Sequence, residues 1–205
     1  MGAIDMQDER ADKDSCSPQR SSLEHGHHDE HDHHHDEPMT PEEVVRSLLV
    51  LGQVALNAGD YESAVEAYAS VLQLQPEETA LYNLASLRAR GLGGRKDLLE
   101  AAQHFHQAEL LGNVQAGKLC GKCMYDFINE GLGEKTPADV YAAMAVFVSR
   151  VYPEASDQKL ETNHGLLVVA NTHLSKGERD EAKKVFQAAA EFGNDEQARA
   201  FLATL

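Results

Sequence analysis

From Leu48 to Pro76 the apolar positions fall into two helical phases separated by a turn. Leu48, Leu51, Gly52 and Ala55 recur at the i, i+3, i+4, i+7 spacing of one helix face, and Ala64, Val65, Tyr68, Val71 and Leu72 make a second such face. Gly59 can take the positive φ that ends a first helix, Asp60 can cap a second, and Pro76 stops it. Two antiparallel helices are predicted. Gly52 and Ala64 lack bulk at the crossing, so the helices can approach closely, while Tyr68 fills the space against the next unit.

The pattern recurs downstream. Leu98, Ala101, Ala102, Phe105 and Ala108 form one clean face after the Gly91-Leu92-Gly93-Gly94 turn. The third unit is the least regular: Ala116, Leu119, Cys120, Cys123 and Phe127 share a face, Thr136-Pro137-Ala138-Asp139 starts the next helix, and Pro153 ends it. A fourth unit has Leu166, Val169 and Ala170 on its first helix, Gly177 at the turn, and Ala182, Phe186 and Ala189 on its second. Gly193-Asn194 echoes Gly112-Asn113, and Ala198, Phe201, Leu202 and Leu205 then form a last amphipathic helix over the open end. The predicted fold is an all-α antiparallel helical-hairpin solenoid over residues 40–205, with four hairpins and a C-terminal capping helix. It begins at Thr40, which can cap, with Pro41 at the first helical position and Glu43 completing a capping box.

Leu51, Gly52, Gly59, Tyr61, Ala64, Tyr68 and Pro76 together resemble the tetratricopeptide repeat family, with Leu48 and Ala55 in place of its usual aromatics. Leu84, Gly91, Gly93, Asp97, Ala101, Phe105, Ala108 and Gly112 resemble the related Sel1-like repeat, with departures at Ala85 and Arg88. The resemblance implies a concave groove lined by the first helix of each hairpin and a protein or peptide partner within it. Arg46, Gln53, Asn57, Tyr82, Asn83, Ser86, Arg90 and Asn171 are the candidate groove residues. Some members of that family clamp a C-terminal carboxylate through Lys and Asn, but Leu49 and Gln53 stand at the matching positions, so a chaperone-tail clamp is not expected.

Composition divides the chain. Residues 1–40 hold eleven Asp and Glu against three Lys and Arg, a net of −8, and residues 41–205 supply the other half of the total of −16. The segment 1–39 has almost no apolar periodicity and is expected to be a disordered acidic tail, because it cannot bury enough surface to offset the entropy of ordering. Net negative charge without a basic stripe argues against nucleic acid and anionic membranes as partners. No apolar run is long enough to cross a bilayer and the N-terminus lacks the pattern of a secretory signal, so the expected location is cytoplasmic. Cys16, Cys120 and Cys123 are too few for a disulfide framework and fit a reducing compartment.

The sharpest local chemistry lies in the tail. His25, His27, His28, His31, His33, His34 and His35 fall within eleven residues, interleaved with Asp29, Glu30 and Asp32. Imidazoles ligate Zn²⁺, Ni²⁺, Cu²⁺ and Co²⁺, and overlapping ligands without fixed spacing select no single metal. No cofactor is required by the rest of the chain. Cys120-Gly-Lys-Cys123 has C-x-x-C spacing, but both cysteines share the stripe of Leu119 and Phe127 with no second pair, so buried thiols are expected. His104 and His106 should point in different directions, and His164 and His173 have no evident acidic partner in sequence. No nucleotide, hydrolase or metalloprotease fingerprint occurs. The expected function is a non-enzymatic interaction scaffold or adaptor; the alternative is a metallochaperone or metal store in which the tail does the work and the repeats dock a recipient. The oligomeric state is open.

Overall fold

Thr40 opens the helical part of the chain as expected. In the computed structural model, which describes residues 38–205, its hydroxyl accepts from the Glu43 amide while the Glu43 carboxylate accepts from the Thr40 amide, and helix α1 (Pro41–Ala58) follows. The disorder and metal ligation expected of residues 1–37 lie outside the described residues.

Gly59, at φ 76°, ends α1, and Asp60 caps α2 (Tyr61–Leu74), which stops just before Pro76. The next pair is α3 (Glu78–Arg90) and α4 (Leu98–Leu110), then α5 (Val114–Asn129), a 3₁₀ turn at Leu132–Glu134, and α6 (Pro137–Val151). The last pair is α7 (Gln158–Ser175) and α8 (Arg179–Glu191), and α9 (Glu196–Leu202) packs on α8. Thr136 and Asp139 form a second capping box at the start of α6. Among the described residues there are helices and no strands: an all-α helical-repeat solenoid of four hairpins and a terminal helix. The second helices α4, α6 and α8 lie side by side, and α5 contacts α7.

Close approach inside the first hairpin depends on Gly52. A Cβ built there would lie 2.8 Å from the Tyr68 ring, and Tyr68 is fully buried. Any side chain at position 52 therefore displaces the ring that fills the crossing. Leu51, expected on the buried face, is instead 55% exposed, beside Val50 and Val54 at 59% each. The cause is position: α1 is the first helix of the array, and among the described residues no earlier helix covers its outer side.

The third unit also departs from a regular hairpin. Helix α5 lies chiefly against α4 and touches its own partner α6 sparsely. Small buried residues, Ala108 on α4 with Ala116 and Cys120 on α5, let α4 and α5 close up. Between α5 and α6, by contrast, Phe127 meets Phe147 at 5.6 Å, and Leu132 of the 3₁₀ turn that joins them is buried.

Candidate functional site

Three first helices carry the candidate surface. A recess of about 230 Å³ opens between α3 and α5, its floor made by Ala89, Phe105, Leu119 and Cys123 and its rim by Ser86, Arg90, Lys122 and Asp126. A second, of about 410 Å³, opens between α5 and α7, where Lys118, Tyr125, Val168, Thr172 and Lys176 face one another. The two share Lys122 and Asp126, which are paired at 2.5 Å one helical turn apart, so the recesses adjoin across that pair along one groove face. Helical spacing explains the lining: Lys118, Lys122 and Asp126 recur every fourth residue on the side of α5 opposite its buried face.

The floor is chemically quiet. Cys120 and Cys123 are buried, as their place on the apolar stripe predicted, and burial pushes the Cys123 thiol up to about 12. Burial likewise raises Cys120, whose Sγ lies 3.4 Å from the Tyr152 hydroxyl. Thiols so raised are protonated and poor nucleophiles or metal ligands at neutral pH. Among the described residues no group of three or more His, Cys, Asp and Glu converges to hold a metal ion.

The α7 wall is held by a polar cluster. His173 is buried, with Nδ1 2.7 Å from Glu178 Oε2 and Nε2 2.7 Å from Asn129 Oδ1 on α5. Lys176 donates to the Tyr125 hydroxyl at 2.8 Å and sits 3.9 Å over that ring, and Tyr125 donates to Glu178 at 3.3 Å. The hydrogen bond from His173 holds the Glu178 carboxyl below its ordinary range, and the bond to Tyr125 raises the Lys176 ammonium. The acidic partner of His173 was not evident in sequence because the chain must first reverse. Gly177, at φ 79°, ends α7 and swings Glu178 back onto the ring.

Of the residues singled out from the sequence, Ser86 and Arg90 line the groove. Arg46, Gln53 and Asn57 are exposed on α1, with Gln53 donating to Asn57 at 3.0 Å, and Asn171 is exposed on α7. Tyr82 and Asn83 are half-buried: Tyr82 meets Phe105 edge-on at 5.8 Å, and Asn83 donates to the Tyr68 hydroxyl at 3.0 Å. The α5 residues Lys118, Lys122, Tyr125 and Asp126 escaped sequence reasoning. Their signal was the polar stripe opposite Cys120 and Cys123, hidden by the irregularity of the third unit. His104 and His106 were expected to diverge, yet both border one recess of about 400 Å³ on the far side of α4, because the end of α6 at Arg150 and Val151 closes across them. Each has a nearby carboxylate, Glu100 at 3.7 Å and Glu109 at 3.6 Å.

The family described as Tetratricopeptide repeat matches residues 45–78, which span α1 from its second turn, all of α2 and the first residue of α3. This segment is similar to a tetratricopeptide repeat. No curated protein and no solved structure matches the chain. The tetratricopeptide match falls on the hairpin built on the Gly52–Tyr68 crossing, and the groove lies immediately downstream of it. Tetratricopeptide repeats generally mediate protein–protein interactions. Among the described residues no helix is long and apolar enough to cross a membrane.

Proposed function

We propose that this protein is a non-enzymatic interaction scaffold or adaptor that holds a protein or peptide along the first helices of its hairpins. The observation that carries the reading is the pair of adjoining recesses over α3, α5 and α7, beginning beside the hairpin that matches the tetratricopeptide repeat. Concave, partly apolar surfaces with a few placed polar groups are where binding sites are found. Arg46, Gln53 and Asn57 on α1, Tyr82 and Asn83 on α3 and Asn171 on α7 extend the proposed surface, and the second hairpin is read as a Sel1-like variant of the same unit. The net charge makes nucleic acid and anionic membrane poor partners, and a cytoplasmic location suits the reduced thiols. Affinity capture from the native host tests the reading. A specific partner retained by the full-length chain and lost on reversing charge at Lys118 and Lys122 supports it, and capture indifferent to the groove counts against it.

A second reading concerns the seven histidines between His25 and His35, which favour binding of Zn²⁺, Ni²⁺, Cu²⁺ or Co²⁺ on composition. In its strong form the protein is a metallochaperone or metal store, and the repeats dock a recipient. Neutral imidazoles are required, so metal held at about pH 7.5 should be released by about pH 5.5. Calorimetric titration at both values checks this, and undiminished binding in acid would rule out imidazole ligation. If metal tolerance of the host is unchanged when residues 1–38 are deleted, the metallochaperone form fails.

A further inference from the structure

We propose that the groove along α3, α5 and α7 takes an extended acidic peptide with one apolar anchor, the anchor entering the recess between α3 and α5 and the acidic flank lying over α5 and α7. The proposal rests on the scaffold reading and adds the chemistry of the partner.

Charge is the first argument. Residues 41–205 hold twenty-three Asp and Glu against fifteen Lys and Arg, so an average surface strip of this chain is acidic. Along the groove the balance is reversed: Arg90, Lys118, Lys122 and Lys176 line its two recesses, against Asp126 in the lining and Glu178 at its edge, hydrogen-bonded to Tyr125 beside Lys176. Lys122 is partly neutralised by Asp126. Among the described residues neither Arg90 nor Lys118 has a carboxylate within ion-pair distance. A cationic strip on an anionic body both attracts an anionic ligand and repels basic ones, which is how charge pattern confers specificity.

Shape is the second. The α3–α5 recess, at about 230 Å³, exceeds the roughly 150 Å³ apolar cavity that admits benzene, and Phe105, Leu119 and Ala89 give it an apolar floor. It therefore has room for a leucine, methionine or phenylalanine side chain. Neighbouring helices stand about 10 Å apart, and an extended strand advances about 3.3 Å per residue. An anchor in that recess thus places a carboxylate about three residues away over the α5–α7 recess, beside Lys118, Lys122 and Lys176.

The test is fluorescence anisotropy of full-length protein with a labelled peptide in which one leucine is flanked by glutamates. Two controls accompany it: glutamine for every glutamate, and serine for the leucine. The acidic leucine probe should bind, more weakly as salt is raised. Affinity should fall at least about ten-fold for the glutamine control and for the double variant K118E/K122E, and several-fold for the serine control. Lys183→Glu, on the exposed side of α8, should leave binding unchanged, and circular dichroism should show every variant helical. Equal affinity for acidic and neutral probes, indifference to K118E/K122E, or no binding of the acidic probe up to about 1 mM overturns the proposal. Capture of a neutral or basic partner through the groove would leave the scaffold reading standing while this proposal failed.

Discussion

The first hairpin and the fourth reach neighbouring helices by different chemistry. In the first, Tyr68 from α2 lies on Gly52, is fully buried, and ends in one hydrogen bond from Asn83 on α3. In the fourth, His173 from α7 is equally enclosed but ends in a polar cluster, with Asn129 of α5 on one side and Glu178, Tyr125 and Lys176 on the other. One junction is a shape match between a missing side chain and a ring; the other is a set of mutually satisfied polar groups. The same architecture therefore joins neighbouring helices through an uncharged contact at one junction and through a titratable carboxyl at the other.

Tyr68→Ala should cost most, about 3–5 kcal/mol, because it empties a fully packed crossing. Tyr68→Phe keeps the ring, loses only the Asn83 bond, and should cost about 0.5–1.5 kcal/mol; urea unfolding of the two variants separates packing from hydrogen bonding. Gly52→Val approaches the same junction from the other side and should cost about 1–3 kcal/mol. A wild-type midpoint in that variant would mean that the ring is not confined.

At the other junction, His173→Ala leaves Asn129 without its partner and should cost about 1–3 kcal/mol. Its pH signature sharpens the contrast. The folded Glu178 carboxyl titrates below its ordinary value near 4.5 because of its bond with His173, so its contribution is full above that value and lost as pH falls through the depressed one. Thermal melts from neutral to acid pH should show Glu178→Gln with a shallower loss of stability than wild type, whereas Tyr68→Phe should keep the wild-type slope. Equal slopes for wild type and Glu178→Gln would remove the distinction between the two junctions. The smallest effect concerns the thiols: a cysteine alkylating reagent at mildly alkaline pH should modify Cys120 and Cys123 slowly in the native protein and readily in denaturant, since both are buried and raised. Rapid native labelling would place them at the surface.

The same contrast governs what could be read from the sequence. The caps at Thr40, Asp60 and Thr136 and the stops before Pro76 and Pro153 were legible because each is set by residues a few positions apart, and the Gly52–Tyr68 junction because a single tight turn brings its two helices together. Leu51 was misplaced because helical phase identifies an apolar face without saying whether the array supplies a neighbour for it. The close pairing of α5 with α4 was hidden because it depends on small residues on both helices. The cations of the groove were hidden because Lys118 and Lys122 acquire meaning only beside Arg90 and Lys176, which the fold brings from other helices. His173 hid its partner behind the turn at Gly177.

Site-directed photo-cross-linking tests most directly whether partners are held in this groove. A photoreactive amino acid replacing Lys118 or Thr172, both in the lining of the α5–α7 recess, is compared with one replacing Lys183 on the exposed side of α8. The account predicts that protein partners in the native host are cross-linked from positions 118 and 172 and not from 183. Cross-links from 183 alone, or equally from all three, would contradict it.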